Sequence, residues 1–151
     1  MCFVHRDFHA SNIMIKNKKF GLIDSQDALR GNLLYDVASL IDDVRIKLSI
    51  ELKSSLFSYY LTKTPKIKKD KEQIYAKNDF EILSIQRNLK ILGIFVRLFI
   101  RDNKSNYLKY LPHIWQLLEL RLKNPIFINL KHLLNKAVPK KNRKKINFND
   151  N

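Results

Sequence analysis

Three oxygen-bearing side chains near the start of the chain have the types and spacing needed for phosphoryl transfer. Asp7 and Asn12 lie in the segment HRDFHASN, and Asp24 ends the segment GLID a few residues later. Phosphoryl transfer needs a carboxylate that orients the attacking hydroxyl and accepts its proton. It also needs oxygen ligands that hold magnesium against the nucleotide phosphates. These three residues supply such a set.

Short apolar segments around these residues predict the elements that position them. Residues 2–4 form one such segment, and residues 13–15 and 20–23 lie on either side of a polar turn, which is typical of a small β-hairpin. Asp7 and Asn12 then share the loop before the hairpin, and Asp24 ends the second strand of the hairpin. We expect the hairpin to bring all three to one end.

Beyond the hairpin the apolar residues recur at helical spacing. A helix is predicted to begin near Tyr35, and the last helix is predicted to end before Pro139. Residues 1–139 therefore form one lobe of mainly α (α+β) class, a small hairpin followed by a helical bundle, and residues 140–151 form a frayed, basic polar tail. The other predicted helices span residues 50–61, ended by Pro65, residues 74–102, residues 107–122, interrupted early by Pro112, and residues 127–137.

The composition allows one compact domain and favours one cellular location. The chain has 151 residues, of which 45% are hydrophobic, enough for a core. It has no apolar run of membrane-spanning length and no secretory signal at its start, so we expect a cytoplasmic protein with no membrane partner. Cys2 is the single cysteine, which excludes an internal disulfide.

The charge is strongly basic but unevenly spread. The formal net charge is +15, with concentrations in residues 63–71 and 140–145 that flank helices and do not form one face. Such a distribution is more typical of a solvated surface than of a nucleic-acid site. A nucleic-acid partner is therefore not the expectation.

The polar segments together resemble a known enzyme family. A His-x-Asp segment with an asparagine five residues after the aspartate, then a strand ending in aspartate, resembles the catalytic and metal loops of protein-kinase-like enzymes. His9 resembles the aminoglycoside phosphotransferase branch. The segments IDSQDA, YDVASL and QRNLKILGIF are similar to those of bacterial sugar kinases of cell-wall recycling, which phosphorylate the anomeric hydroxyl of N-acetylmuramate or N-acetylglucosamine. The resemblance spans residues 3–139.

The resemblance implies a fold, cofactors and residue roles. The fold would be the C-terminal lobe of a protein-kinase-like enzyme, and the cofactors would be ATP and Mg²⁺. Asp7 would be the catalytic base. Asn12 and Asp24 would hold the metal and, through it, the nucleotide. Asp36 would brace the catalytic loop by accepting hydrogen bonds from its backbone amides, with His5 in support.

Two departures from the family pattern stand out. Ser25 replaces the aromatic residue that usually follows the metal aspartate, whereas Gln26 and Asp27 remain as polar groups to face the acceptor, an amino sugar. The family's glycine-rich phosphate loop and nucleotide-pairing lysine belong to an N-terminal lobe far upstream of the catalytic loop, and here only six residues precede Asp7. Met1 is then a fragment boundary, a mispredicted start or the product of a split gene, and we expect little or no kinase activity from this chain without the missing N-terminal lobe.

Alternatives stay open for the function and for single residues. The chain also fits a catalytically incomplete kinase-like module that binds RNA through residues 140–145, or an aminoglycoside antibiotic kinase. For the two histidines His5 and His9, structural hydrogen bonding is favoured over metal binding. Asp36 also suits the first turn of a helix simply as an anion. Asp42 and Asp43 are expected to face solvent.

Overall fold

The computed structural model describes residues 1–67 and 69–144. It is mostly helical with two small antiparallel sheets, which confirms the mainly α class. The chain divides into two compact units, Met1–Ser84 and Ile85–Asn151, called here the first and the second unit. Within the described ranges, no helix has both the length and the apolar character required to cross a bilayer.

The predicted hairpin is present. Strands β2 (Ile13–Lys16) and β3 (Lys19–Leu22) pair antiparallel, and only two residues connect them. These residues, Asn17 and Lys18, have φ angles of 50° and 61°. Left-handed backbone at both positions is what a tight turn of type I′ requires, and its twist matches that of the flanking strands.

A second strand pair closes the segment that contains the polar residues. Strand β1 (Cys2–Val4) pairs antiparallel with β4 (Leu29–Gly31), with Val4 opposite Leu29. A Cβ atom added at Gly31 would lie 3.1 Å from Val4 Cγ2, so glycine permits the close approach. The sequence did not predict β4, because three residues are too few to show a period. The pairing ties together the two ends of residues 5–28, from which the candidate site is built.

Six α-helices follow among the described residues. The first begins at Tyr35 as predicted, and Ser49 caps the second by accepting a hydrogen bond from Leu52 N at 3.1 Å. Three 3₁₀ turns cover Ala10–Asn12, Ser105–Tyr110 and Pro125–Phe127. The helices are α1 (Tyr35–Ile41), α2 (Ile50–Lys63), α3 (Asp70–Asp102), α4 (Leu111–Arg121), α5 (Ile128–Ala137) and α6 (Lys141–Lys144).

Two predictions about the later helices are wrong. Pro112 does not interrupt a helix but lies in the first turn of α4, where its missing amide costs no hydrogen bond. The frayed tail predicted from residue 140 is wrong for Lys141–Lys144, which form α6. Residues 145–151 of that predicted tail lie outside the described residues.

The core of the first unit packs α1 against α2 and the start of α3. The rings of Phe57 and Phe80 lie 4.6 Å apart at its centre. Because α1 is anchored in this core, it is a fixed support for the loops that contact it. The buried members are Leu34, Ala38, Ile41, Ile67, Ala76 and Phe80.

The second unit is organised around the buried face of α4 and a buried arginine. Arg143 is only 3% exposed, and its guanidinium lies 4.4 Å from the ring centroid of Trp115. It donates hydrogen bonds to the backbone oxygens of Leu134 and Val138, at 2.9 and 2.8 Å, and it contacts Glu119 at 3.2 Å. Arg143 therefore fastens α6 to α4 and α5. Of the basic residues 140–145, on which the RNA-binding alternative depends, Arg143 is committed to contacts within the unit.

Candidate active site

A short series of hydrogen bonds links the segments that carry Asp7, Asn12 and Asp24. The side-chain Nδ2 of Asn12 donates to the backbone oxygen of Asp7 at 3.0 Å. The backbone N of Ile23 donates to the backbone oxygen of Asn12 at 3.1 Å. The first bond folds the loop back on itself, and the second places the residue before Asp24 against Asn12. The two predicted loops thus meet at the open end of the β2–β3 hairpin.

A 3₁₀ turn sets the orientation of Asn12. The turn covers Ala10–Asn12, and Asn12 N donates to the backbone oxygen of His9 at 2.9 Å. The side chain is buried, with 8% exposure. Because Nδ2 is bonded to the backbone of Asp7, the carboxamide oxygen is the atom left to meet a cation.

Asp24 is exposed and has a backbone angle φ of 68°. Aspartate tolerates this left-handed conformation better than most residues do, so the chain can turn sharply at the end of the hairpin. Gln26 Nε2 donates to Asp24 Oδ1 at 2.6 Å. Gln26 was predicted to face the acceptor, whereas here it contacts the predicted metal ligand.

Arg6 makes a further bond between the two loops. Its guanidinium Nη1 donates to the backbone oxygen of Asp27 at 3.3 Å, and its own φ is 73°. Asp27, the second residue predicted to face the acceptor, has an exposed side chain. The segment after Asp24 is therefore attached to the segment before Asp7.

Asp36 makes the hydrogen bonds expected of a bracing residue. Its Oδ2 accepts from the backbone N of His5 at 2.7 Å, and its Oδ1 accepts from the backbone N of Arg6 at 3.0 Å. Both carboxylate oxygens are thus used on consecutive amides directly before Asp7. The bond to His5 involves its backbone, so any support from His5 comes through its amide.

The ring of His5 corrects one expectation. It is 2% exposed, and neither ring nitrogen has a hydrogen-bond partner in the structure, so the predicted structural hydrogen bonding by this ring is wrong. The ring packs at an edge-to-face angle against Phe8, with centroids 6.2 Å apart. Packing against apolar neighbours holds it in place.

Asp42 and Asp43 are buried, which overturns the prediction that they face solvent. Asp42 Oδ1 lies 2.9 Å from Lys53 Nζ, and Asp42 Oδ2 accepts a hydrogen bond from Ser84 Oγ. Asp43 is 5% exposed and contacts the backbone N of Ala10 in the loop that carries Asp7 and Asn12. Their partners are distant in sequence, so local pattern gave no signal of their burial.

A known protein family matches the part of the chain that contains the candidate site. Residues 1–71, which contain every residue of the candidate site, match the model of a family described as "Phosphotransferase enzyme family". The family resemblance is confirmed.

Three proteins similar to this chain are named N-acetylmuramate/N-acetylglucosamine kinase. The protein of Caulobacter vibrioides is 30% identical over 94% of this chain and 39% of its own length. The protein of Neisseria meningitidis serogroup B is 36% identical over 73% of this chain and 34% of its own length. The protein of Pseudomonas aeruginosa is 32% identical over 78% and 35%. The chain thus spans little more than a third of the length of these relatives.

The donor set of the candidate site suits magnesium. Mg²⁺ prefers oxygen ligands and keeps several waters, so it is usually bound by one or two carboxylates together with substrate phosphates. Asn12 offers an amide oxygen and Asp24 a carboxylate, and the backbone of Ile23, the residue before Asp24, is bonded to the backbone of Asn12. Among residues 1–67 and 69–144 no three His, Cys, Asp or Glu side chains converge as a metal site.

An apolar groove of about 520 Å³ adjoins the catalytic loop. It is lined in part by His5, Phe8, Val37 and Tyr60. The Tyr60 hydroxyl donates to the backbone oxygen of Leu33 at 2.9 Å, and burial raises the pKa of this hydroxyl above its usual value. The groove wall is therefore apolar enough to disfavour a charge on Tyr60.

Proposed function

We propose that this chain is the catalytic, C-terminal lobe of a protein-kinase-like phosphotransferase that transfers the γ-phosphoryl group of ATP to a hydroxyl of an amino sugar. The observation that carries the proposal is the pair of hydrogen bonds, Asn12 to Asp7 and Ile23 to Asn12, that links the segments carrying the three polar residues. The family match and the names of the relatives support the reaction and the class of acceptor.

Each residue has a distinct task in this proposal. Asp7 orients the acceptor hydroxyl and accepts its proton as the oxygen attacks. Asn12 Oδ1 and the Asp24 carboxylate hold Mg²⁺, which when bound neutralises charge on the nucleotide phosphates. Asp36 keeps the segment before Asp7 in place, and Gln26 orients the carboxylate of Asp24. Asp27, exposed beside this pair, is available to the acceptor.

Substitution of Asp7 tests its proposed task. In a longer protein that carries these residues and turns over ATP, Asp7→Asn should lower kcat about a hundredfold or more, because general-base positioning contributes that much. Asp79→Asn, which alters an exposed aspartate bonded to Asn32, is the matched control and should leave kcat unchanged. Unchanged turnover in Asp7→Asn would remove Asp7 from the mechanism.

We propose that residues outside these 151 provide the missing contacts to the nucleotide. The chain spans 34% to 39% of the three relatives described above, so more than half of their length has no counterpart here. We expect the isolated chain to show little or no ATP turnover, measured by phosphate release with amino sugar present. Robust turnover would contradict this part of the proposal. A reaction that consumes ATP also fits a cytoplasmic location.

The acceptor class has its own test. Phosphorylation assays with N-acetylmuramate, N-acetylglucosamine and a panel of aminoglycosides, run on the longer protein, should show transfer to the amino sugars. Transfer to aminoglycosides alone would replace the proposed acceptor with an antibiotic. Transfer to neither class, with the metal site intact, would limit the proposal to nucleotide binding.

A further inference from the structure

Asp43 holds the catalytic loop at a second point, beyond the bonds made by Asp36. It lies two residues after the end of α1, and its side chain is almost fully buried. Its Oδ2 accepts a hydrogen bond from the backbone N of Ala10 at 3.4 Å, a long contact. Its Oδ1 accepts from the backbone N of Arg45 at 2.9 Å, with the Arg45 guanidinium 3.6 Å away. The carboxylate is thus fixed by its own turn and directed at the loop.

The amide that Asp43 contacts is the first of the 3₁₀ turn that ends at Asn12. The first amides of a helical turn have no partner within the turn and need one from elsewhere. The side chain of His9, the residue before the turn, does not cap it. Asp43 supplies an acceptor from a position 33 residues away in sequence. The orientation of Asn12 therefore depends on an element outside its own loop.

Asp36 and Asp43 act on opposite sides of Asp7. Asp36 accepts from the amides of His5 and Arg6, and Asp43 accepts from the amide of Ala10. The two aspartates are seven positions apart, which is about two helical turns at 3.6 residues per turn. Asp36, in α1, and Asp43, just after α1, can therefore both direct their carboxylates to the loop. The loop is thereby held before and after its catalytic residue.

We propose that Asp43 is a positioning residue of the candidate active site, which fixes the 3₁₀ turn so that Asn12 faces the metal. The proposal rests on the proposed function, since it assigns Asn12 a cation. It predicts that loss of the Asp43 carboxylate weakens metal binding by more than any accompanying loss of stability explains. Buried groups that orient a metal ligand have this property, because a ligand that turns freely binds less well.

The test compares two neighbouring aspartates. Asp43→Asn keeps the size of the side chain but replaces one acceptor oxygen with a donor. Asp42→Asn is the matched control, since Asp42 is equally buried but is bonded to Lys53 and Ser84. The probe is Mn²⁺, titrated into the 151-residue chain with and without ATP and followed by paramagnetic broadening of the Asn12 and Asp24 amide signals. Thermal unfolding of both variants is measured alongside.

We expect Asp43→Asn to weaken Mn²⁺ binding about tenfold and to shift the Ala10 and Asn12 amide signals. Asp42→Asn should lower the unfolding temperature yet bind Mn²⁺ like the unmodified chain. Equal Mn²⁺ affinity in Asp43→Asn and the unmodified chain, or an equal loss in both variants, would overturn the proposal.

A second variant guards against a folding defect. Asp43→Glu keeps the charge but moves the carboxylate by one methylene, so an intermediate loss of Mn²⁺ affinity is expected. Failure of both Asp43 variants to fold where Asp42→Asn folds would assign Asp43 a purely structural role and overturn the proposal. If the unmodified chain binds no Mn²⁺ even with ATP, the same titration is made on the longer protein that carries these residues. No Mn²⁺ binding there would remove the metal site of the proposed function, whereas unshifted Ala10 and Asn12 signals in Asp43→Asn would overturn the positioning role separately.

Discussion

Both units bury charged side chains, but these charges contact different kinds of group. In the first unit, the partly buried Asp36 and the buried Asp43 accept hydrogen bonds from amides of the loop that carries the candidate catalytic residue. In the second unit, Arg143 donates to the oxygens at the end of α5 and stacks on Trp115. A buried carboxylate can hold a loop because loop amides lack partners, whereas a buried cation suits the free oxygens at helix ends. The first arrangement positions functional groups, and the second stabilises a helix.

The largest expected effect comes from the buried ion pair of the first unit. Lys53→Met leaves the Asp42 carboxylate buried without its cation, which should lower the free energy of unfolding by about 3 to 5 kcal/mol. Urea unfolding should be followed by amide signals from residues 1–84 and by the fluorescence of Trp115, the single tryptophan, for the second unit. We expect the urea concentration at the unfolding midpoint to fall most when it is measured from the amide signals of the first unit.

The double variant Lys53→Met/Asp42→Leu is the control for this effect. Removal of both charges leaves no unpaired buried ion, so much of the lost stability should return. A double variant no more stable than Lys53→Met would show that shape, and not charge pairing, determines this contact.

The next effect belongs to the second unit. Arg143→Met removes the bonds to Leu134 and Val138 and should lower the free energy of unfolding of that unit by about 2 to 3 kcal/mol. It should also change the emission of Trp115, because the cation lies over its ring. Lys141→Met, at an exposed position of the same helix, should have neither effect. A shift of the catalytic-loop amides in Arg143→Met would contradict the division of roles between the units.

A smaller loss of stability is expected at the loop itself. Asp36→Asn replaces one acceptor oxygen with a donor that meets the amide of His5 or Arg6, and it should cost about 1 to 2 kcal/mol. The diagnostic measurement is hydrogen exchange, which should speed up at these two amides. Asp79→Asn serves as the exposed control in the same unit. Unchanged exchange at both amides would mean that Asp36 does not hold the loop.

The smallest effect is at the groove wall and depends on pH. Tyr60→Phe removes the bond to Leu33 and should cost about 0.5 to 1 kcal/mol at neutral pH. Because burial raises the pKa of Tyr60 in the folded state, its stabilising contribution is complete below pH about 10, the unfolded value, and is lost as pH rises through the folded value. The difference in unfolding temperature between the unmodified chain and the variant should therefore shrink above pH about 10.

Tyr59→Phe provides the comparison for this measurement. Tyr59 is adjacent in sequence but 63% exposed, so its removal should leave both the stability and its alkaline pH dependence unchanged. A pH dependence equal in the two variants would show that Tyr60 is not desolvated by the groove.

Local sequence signals predicted much of the first unit. The hairpin follows from two apolar segments around a polar turn, and the start of α1 at Tyr35 follows from a change of period after Gly31 and Asn32. The bonds from Asp36 to the loop were expected from the family resemblance, and the structure contains them. Such signals act over a few residues, which is why they can be detected in a single sequence.

Other features depended on contacts between distant residues. The pairing of β4 with β1, the burial of Asp43 and the burial of Arg143 each join segments that share no local pattern. A charged residue in a polar stretch is normally exposed, so the sequence placed both charges in solvent. The prediction that Pro112 interrupts a helix was wrong for a related reason. Proline disrupts the interior of a helix but is accepted in its first turn, and the sequence did not show where α4 begins.

The sequence alone determined which side chains are chemically able to bind a cation and accept a proton, because their types and short spacings are fixed by covalent order. Only the tertiary structure decided that Asp43 also holds the loop and that Asp42 and Asp43 do not face solvent. That choice depends on whether a distant backbone amide or cation arrives to replace the water that a buried charge loses.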